Sequence, residues 1–428
     1  MELLESLFDS VRNVCAVLPD RRRGSNGRIA MADFGMAAFS VYFMQSPSFL
    51  AHQRQLLAGE GRSNCETLFG MTHIPCDNHI RAMLDPVDPA LFHPVFAQAV
   101  QTLETSGALA DLRCLGNHVL IALDGTEYHR SGKIHCKCCS TVTKGKATEY
   151  FHGMVQASIV APRHNRAVPL PPAFVTPQDG SEKQDCESRA CRRWLRDHAA
   201  TYARLNPIYL GDDLYSCQPI CEVVRAAGGH FLFVCKPDSH PTLTEYLAGV
   251  AIEQRVEIVK RGKLRYTYTY RWMCDLPLRD GRDAMRVNWL ALEITDPKGG
   301  VTYRNSFVTD LAVDRHNVVE LIACGRARWK IENETFNTLK TKGYNLEHNF
   351  GHGKANLAAV LAVLNLLAFA FHTVADLAEP LWRKARAATH TRIGFFNAMR
   401  ALTVYIVFAS WAQLLKIITF DTRLPRPP

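Results

Sequence analysis

The stretch His118–Leu123, HVLIAL, is apolar at every position after its histidine. A run this short and this uniform suits a β-strand buried on both faces, so helices must lie above and below it. It ends at Asp124-Gly125, which reads as the turn that closes the strand. The pattern returns at Ile208–Leu210, which runs into Gly211-Asp212-Asp213. Further strands are expected at Val155–Ala161, closed by Pro162, and at Val168–Val175, where prolines imply a sheet edge. A helix is expected over Ser181–Ala203, with Cys186, Ala190, Trp194, Leu195 and His198 on its inner face, then a helix over Cys217–Ala227 and a strand at Phe231–Cys235. This order predicts an α+β or α/β fold, a mixed sheet flanked by helices, with carboxylates at strand ends.

The flanks have a different texture. Residues 1–116 read as a helical N-terminal domain: Leu3, Leu4, Leu7, Phe8 and Val11 recur at helical spacing, and Met31–Phe43 and Leu91–Leu103 are further helices. Residues 240–310 read as a β-rich insertion, from good strand formers such as Thr267–Arg271 and the alternation of Val287, Trp289 and Ala291. Val318–Lys340 is expected to be helical, with Gly325 tolerated inside it. The sheet-bearing domain is therefore drawn as 117–239 plus 311–378, with a helical C-terminal segment at 379–428. Two late stretches, Leu357–Leu377 and Ala401–Phe420, approach the roughly 20 apolar residues of a membrane span. The first holds Asn365, His372 and Asp376 and the second Gln413 and Lys416, so both read as buried helices and no membrane is expected.

With 47% hydrophobic and 21% charged residues, the chain can bury a large core and is not disordered in composition. Its formal net charge of +9 is compatible with an acidic partner such as nucleic acid. Met1–Asp20 carries Glu2, Glu5 and Asp9 and lacks the basic start and apolar run of a secretory leader. A cytoplasmic location is therefore expected, with its 14 cysteines as reduced thiols.

Three places carry chemistry together: Asp124 in ALDGTEY, Asp212 in IYLGDDLYS, and Glu332 or Glu334 in ARWKIENETFNTLK. A carboxylate at the end of a buried strand has a rigid backbone and an open edge, which suits hard divalent cations with oxygen ligands. Two such cations, about 3.5–4 Å apart, serve phosphodiester chemistry by activating one oxygen and stabilising another. Taken singly, Asp-Gly is an ordinary turn, Gly-Asp-Asp an ordinary helix cap, and a helix glutamate an ordinary solvated residue.

On these residues the chain resembles insertion-sequence transposases of the DDE superfamily, which share the RNase H-like fold with retroviral integrases, and among them the type with a β-rich insertion before the catalytic Glu. The matching pieces are LDGTEY, Asp212 with Tyr215 in GDDLY, and Arg328, Glu332, Phe336 and Lys340 in RWKIENETFNTLK; the match runs from Val119 to Val374. Gly325 stands where the related pattern has Tyr, and Lys340 lies one position beyond the family spacing from Glu332. The resemblance implies catalysis by Asp124, Asp212 and Glu332, with Glu332 preferred over Glu334, holding two Mg2+ or Mn2+ ions. It implies DNA contacts from Arg328 and Lys340, with Lys236 a further candidate. It also implies a homodimer on double-stranded DNA, which would supply terminal inverted repeats and target, in a nucleoid-associated bacterial enzyme. A nuclease of the same superfamily without strand transfer, and a DNA-binding relic without activity, are the rival readings.

Cys136 and Cys139 in IHCKCCS form a C-x-x-C pair, for which structural zinc would need two more ligands, sought among Cys114, His152, Cys186 and Cys191. Lys133, Lys137, Lys144 and Lys146 beside them, and Arg21–Arg23, suit either a DNA backbone or solvent. His348 and His352 in YNLEHNFGHGKANL are expected in a DNA- or helix-positioning loop just after the Glu helix, because Gly351 and Gly353 argue against a helix and hence against a shared metal-binding face.

Overall fold

The structure, a computed structural model, describes residues 2–22, 27–57, 59–145, 147–177 and 185–419. Arg23, Lys146, the expected helix start at Ser181 and the tail Arg423–Pro428 lie outside the described residues. The fold is mixed, with one sheet flanked by helices.

The N-terminal part consists of helices α1 (Glu2–Ala16), α2 (Met31–Phe43), α3 (Phe49–Leu57), α4 (Gly59–Phe69), α5 (Asp77–Leu84) and α6 (His93–Thr105). In α1 the periodic residues Leu4, Leu7, Phe8 and Val11 are buried. Helix α2 is apolar on all sides and nearly every residue is buried, as a helix inside a bundle must be.

Among the described residues twelve strands form one sheet: β1 (Arg113–Cys114), β2 (His118–Ser131), β3 (Ser140–Lys144), β4 (Ala147–Val160), β5 (Val168–Pro169), β6 (Ala173–Val175), β7 (Pro207–Gly211), β8 (His230–Val234), β9 (Glu253–Arg261), β10 (Leu264–Pro277), β11 (Arg286–Thr295) and β12 (Val301–Thr309). Their order is β3-β4-β2-β7-β8-β12-β11-β10-β9, with β5 and β6 paired to β4 and β1 to β2. β2 runs antiparallel to β4 and parallel to β7, which is parallel to β8. The segment expected as a β insertion is the antiparallel meander β9–β12, and β12 pairs with β8, so the meander continues the central sheet.

Helix α7 (Glu187–Tyr202) precedes β7, α8 (Gln218–Ala226) joins β7 to β8, and α9 (Pro241–Ala248) precedes the meander. In α7, Ala190, Cys191, Trp194 and Leu195 are buried, but Cys186 caps the helix and is exposed, so it does not join the inner face as expected. The expected helix Val318–Lys340 is one helical path of changing pitch. It passes from α10 (Val318–Arg326) through a 3-10 turn and a π-helical stretch, Ile331–Phe336, into α11 (Asn337–Thr341). The chain ends in α12 (Leu357–Ala378), α13 (Pro380–Ala388), α14 (Arg392–Tyr405) and α15 (Trp411–Thr419).

The central strands β2, β7 and β8 are buried on both faces. On one side Leu120, Ala122, Ile208 and Leu210 pack with Val318, Leu321, Ile322 and Ile331. On the other, Val119, Ile121, Leu123 and Tyr209 join Trp194, the N-terminal helices and α12.

The expectation that the first strand ends in a turn at Asp124-Gly125 is corrected. β4 stays beside β2 from Leu120↔Val160 to Ser131↔Tyr150, with one irregularity near Glu127, so β2 keeps a hydrogen-bonding partner well beyond the acid. For the same reason the strand expected at Val155–Ala161 starts much earlier, at Ala147.

Helix α12 is long and apolar enough to cross a membrane, with mean hydropathy 2.2, but 89% of that span is buried inside the protein. Two of its polar residues are bonded there: Asn365 donates to the Tyr344 carbonyl at 2.9 Å and His372 Nδ1 lies 2.6 Å from the Tyr344 hydroxyl. The second apolar stretch is broken: α14 stops at Tyr405 and α15 starts at Trp411. Between them the Phe408 amide donates to Asn64 Oδ1 at 2.9 Å.

Candidate active site

The parallel pairing of β2 with β7 ends at Ala122↔Leu210. Asp124 and Asp212 each lie two residues further along these strands. Side chains alternate between faces, so both follow Ala122 and Leu210 onto the face covered by the Glu332 helix. Neighbouring strands lie about 4.8 Å apart, so the register alone sets the two aspartates side by side. Their local settings differ. Asp124 remains in a strand, its Oδ1 accepting from the Gly125 amide at 3.0 Å. Asp212 caps a 3-10 turn, its carboxylate accepting from the Leu214 amide at 3.0 Å. Asp213 is engaged elsewhere, accepting from the Lys236 amide at 2.6 Å and facing His240 Nε2 at 3.4 Å.

Glu332 arrives from the helical path across this face. Arg328, one turn earlier, connects the elements: its guanidinium is 2.8 Å from Glu332 Oε1 and 3.5 Å from Asp124 Oδ2. The π-helical winding that carries Glu332 also buries Thr335, whose hydroxyl donates to Ser158 Oγ of β4 at 3.2 Å. The helix is thereby tied to the sheet beside the acids. Gly325 permits this approach, since a Cβ there would lie 2.8 Å from Phe307 Cε1 on β12. That contact explains why a large residue does not occupy the position.

A fourth carboxylate, Glu187 at the start of α7, lies over Gly125 on the opposite face of β2, and its charge acts on Asp124. Tyr215 donates its hydroxyl to Glu187 Oε1 at 2.6 Å. Tyr215 is fully buried, and burial together with Cys191 and Glu187 pushes its phenol well above the usual 10, so it remains a donor. Gly125 leaves room for this acid, because a Cβ there would meet Glu187 Oε2 at 2.4 Å. Sequence reasoning missed Glu187, since an acid in the first turn of a helix is favoured by the helix dipole whatever the function.

The electrostatic result is a crowded acidic edge. Asp124 is pushed from the ordinary 3.8 up to about 7, chiefly by burial; Arg328 opposes this, while Glu332, Glu187 and Asp212 add to it. Two of these carboxylates, Asp124 and Glu332, share the Arg328 guanidinium, and the negative charge of Glu187 and Asp212 also acts on Asp124. Glu332 is 40% exposed and Asp124 16%, so the edge is open to a ligand. Glu332 is also the glutamate of its segment whose charge acts on Asp124; Glu334 is half-buried two positions on.

A groove of about 660 Å³ opens beside Arg328, lined by Arg326, Lys330 and Trp329 with Tyr303 and Asn305. Trp329 is 60% exposed. The other two expected DNA contacts lie elsewhere. Lys340 pairs with Glu347 at 2.8 Å, and the Lys236 side chain is exposed at the end of β8. Cys136 and Cys139 stand apart from the carboxylates, gathered with His152 and His352. Of the further ligands sought for them, His152 is present, whereas Cys114 lies against Cys324 instead. His352 lies in a loop as anticipated, and that loop brings it beside Cys139 and His152.

No protein-family model matches the chain, and no curated protein matches it.

Proposed function

We propose that the chain is a DDE-type transposase that cleaves DNA and transfers strands, with Asp124, Asp212 and Glu332 as its metal-binding carboxylates. The observation that carries this reading is the meeting of Asp124 and Glu332 across one guanidinium, with Asp212 beside Asp124 by strand register. The strand order from β5 and β6 through β4, β2, β7 and β8 supports an RNase H-like core. The meander β9–β12, lying between Asp212 and Glu332 in the chain, supports the subtype with a β-rich insertion.

On this reading Asp124, Asp212 and Glu332 would hold Mg2+ or Mn2+, while Glu187, fixed by Tyr215, adds negative charge near Asp124. When bound, a pair of such cations supplies an activated oxygen nucleophile and charge neutralisation at the scissile phosphodiester. Arg328 then turns part of its charge from the acids to a phosphate, for which its planar fork is suited. The groove with Arg326, Lys330 and exposed Trp329 accepts the adjoining backbone, through positive charge and a face for base stacking. The partner is double-stranded DNA, as transposon ends and as target, held by two copies of the chain.

The test uses full-length protein, Mg2+ or Mn2+, and duplexes carrying the inverted repeats that flank the gene. Metal-dependent cleavage at the repeat ends and joining of pre-cut ends to a second duplex are expected. Asp124→Asn, Asp212→Asn and Glu332→Gln should each lower the rate by about 10³-fold or more while DNA binding persists. Cleavage that survives Glu332→Gln, or that needs no divalent cation, refutes the assignment. Cleavage without joining would identify a nuclease of the same architecture.

A further inference from the structure

Four soft donors converge away from the acidic edge. Cys136 and Cys139 lie in the connection between β2 and β3, His152 on β4, and His352 in the loop that precedes α12. The two sulfurs are 3.9 Å apart. His152 Nε2 is 3.5 Å from Cys136 Sγ and 3.4 Å from Cys139 Sγ, and His352 Nε2 is 3.5 Å from Cys139 Sγ. All four ligand atoms lie within 4.8 Å of one another. With Zn–S near 2.3 Å and Zn–N near 2.0–2.1 Å, a tetrahedral site has sulfur–sulfur edges of ~3.8 Å and sulfur–nitrogen edges of ~3.5 Å. We infer that Cys136, Cys139, His152 and His352 form a closed, structural zinc site.

Three observations favour this over a chance grouping of thiols and imidazoles. The donors are two sulfurs and two imidazoles with no carboxylate, a soft set that selects zinc over magnesium or calcium. Backbone amides are directed at the sulfurs: Cys138 N–H donates to Cys136 Sγ at 3.4 Å and Cys136 N–H to Cys139 Sγ at 3.4 Å. Such bonds stabilise thiolate charge. Finally, Cys139, His152 and His352 are all buried, which leaves no open position for a substrate and so favours a structural over a catalytic role.

The loop carrying His352 is built to reach this place. Gly353 holds a left-handed φ of 71°, where a Cβ would strike Asp85 Oδ1, and a Cβ at Gly351 would crowd Arg81 at 3.1 Å. Asp85 accepts from the Lys354, Ala355 and Leu357 amides at 3.0–3.1 Å, which anchors the start of α12. Cys139 and His352 are 213 positions apart in the chain. A zinc ion would therefore cross-link the sheet to the loop between the Glu332 helix and α12. This inference does not depend on the transposase reading.

The test begins with wild-type full-length protein, purified in reducing buffer without chelator. We expect close to one zinc per chain by elemental analysis. After exchange with Co2+, the intense visible absorption of a four-coordinate, thiolate-ligated ion should appear. Cys139→Ser and His352→Gln should each lower retained zinc at least ~10-fold, while Cys138→Ser should keep it. Folded wild-type protein that holds no zinc and gives no tetrahedral Co2+ spectrum overturns the proposal. So does a Cys136–Cys139 disulfide in place of metal, or full zinc in the Cys139→Ser, His352→Gln double variant. If the single variants fail to fold, the wild-type measurements decide alone.

Discussion

Replacing Asp124 by Asn should stabilise the metal-free protein at neutral and alkaline pH, and only there. Burial and three neighbouring acids hold the Asp124 carboxyl at about 7, whereas in the unfolded chain it titrates near 3.8. Between those values the folded chain keeps a proton that the unfolded chain has released. Stability therefore falls as pH rises through this window and levels off above about 7. A displacement of that size corresponds at full effect to ~4 kcal/mol. The edge is open to water, and the variant gives up the 3.5 Å contact with Arg328. The gain should then be nearer ~2 kcal/mol, or ~2 °C if 428 residues unfold as one unit. Urea unfolding in EDTA at pH 5 and pH 8.5, monitored by circular dichroism, measures it. The difference between Asn variant and parent should grow from small at pH 5 to about 2 kcal/mol at pH 8.5. Added Mg2+ should stabilise the parent at pH 8.5 and leave the variant little changed. An Asn variant less stable than the parent at pH 8.5, or a gap equal at both pH values, would refute the picture of an acidic edge short of positive charge.

Two further predictions concern packing around the site. Gly325→Ala should destabilise the fold by ~1–3 kcal/mol, because the new methyl meets Phe307 at 2.8 Å, and should lower the urea midpoint; Phe307→Leu in the same chain should recover part of the loss. Asp85→Ala removes the acceptor of the Lys354, Ala355 and Leu357 amides. It should cost about 2 kcal/mol and speed hydrogen exchange at those amides, and unchanged exchange would show that the loop is held by other contacts.

The strands and helices were largely legible in the sequence because their signals are local. HVLIAL suits a strand buried on both faces, the apolar α2 suits the inside of a bundle, and the prolines near Val168 favour short edge pairing. The acids were legible as candidates for the same reason, since each ends or interrupts a strongly patterned segment. Strand length was not legible, because whether β2 stops at Asp124 depends on how far β4 accompanies it, and β4 lies elsewhere in the chain. Glu187 and His352 were hidden in another way. Nothing in their neighbours distinguishes them from a helix-capping acid or a loop histidine. Tyr215 and Gly125 define the place of the first, and Asp85 with the left-handed Gly353 carries the second to Cys139. The sequence by itself determined which segments are strands and helices and which residue types are chemically able, since periodicity and side-chain chemistry are properties of short stretches. Only the tertiary structure decided which able residues meet, because meeting depends on strand register, helix pitch and the close approach of segments far apart in the chain.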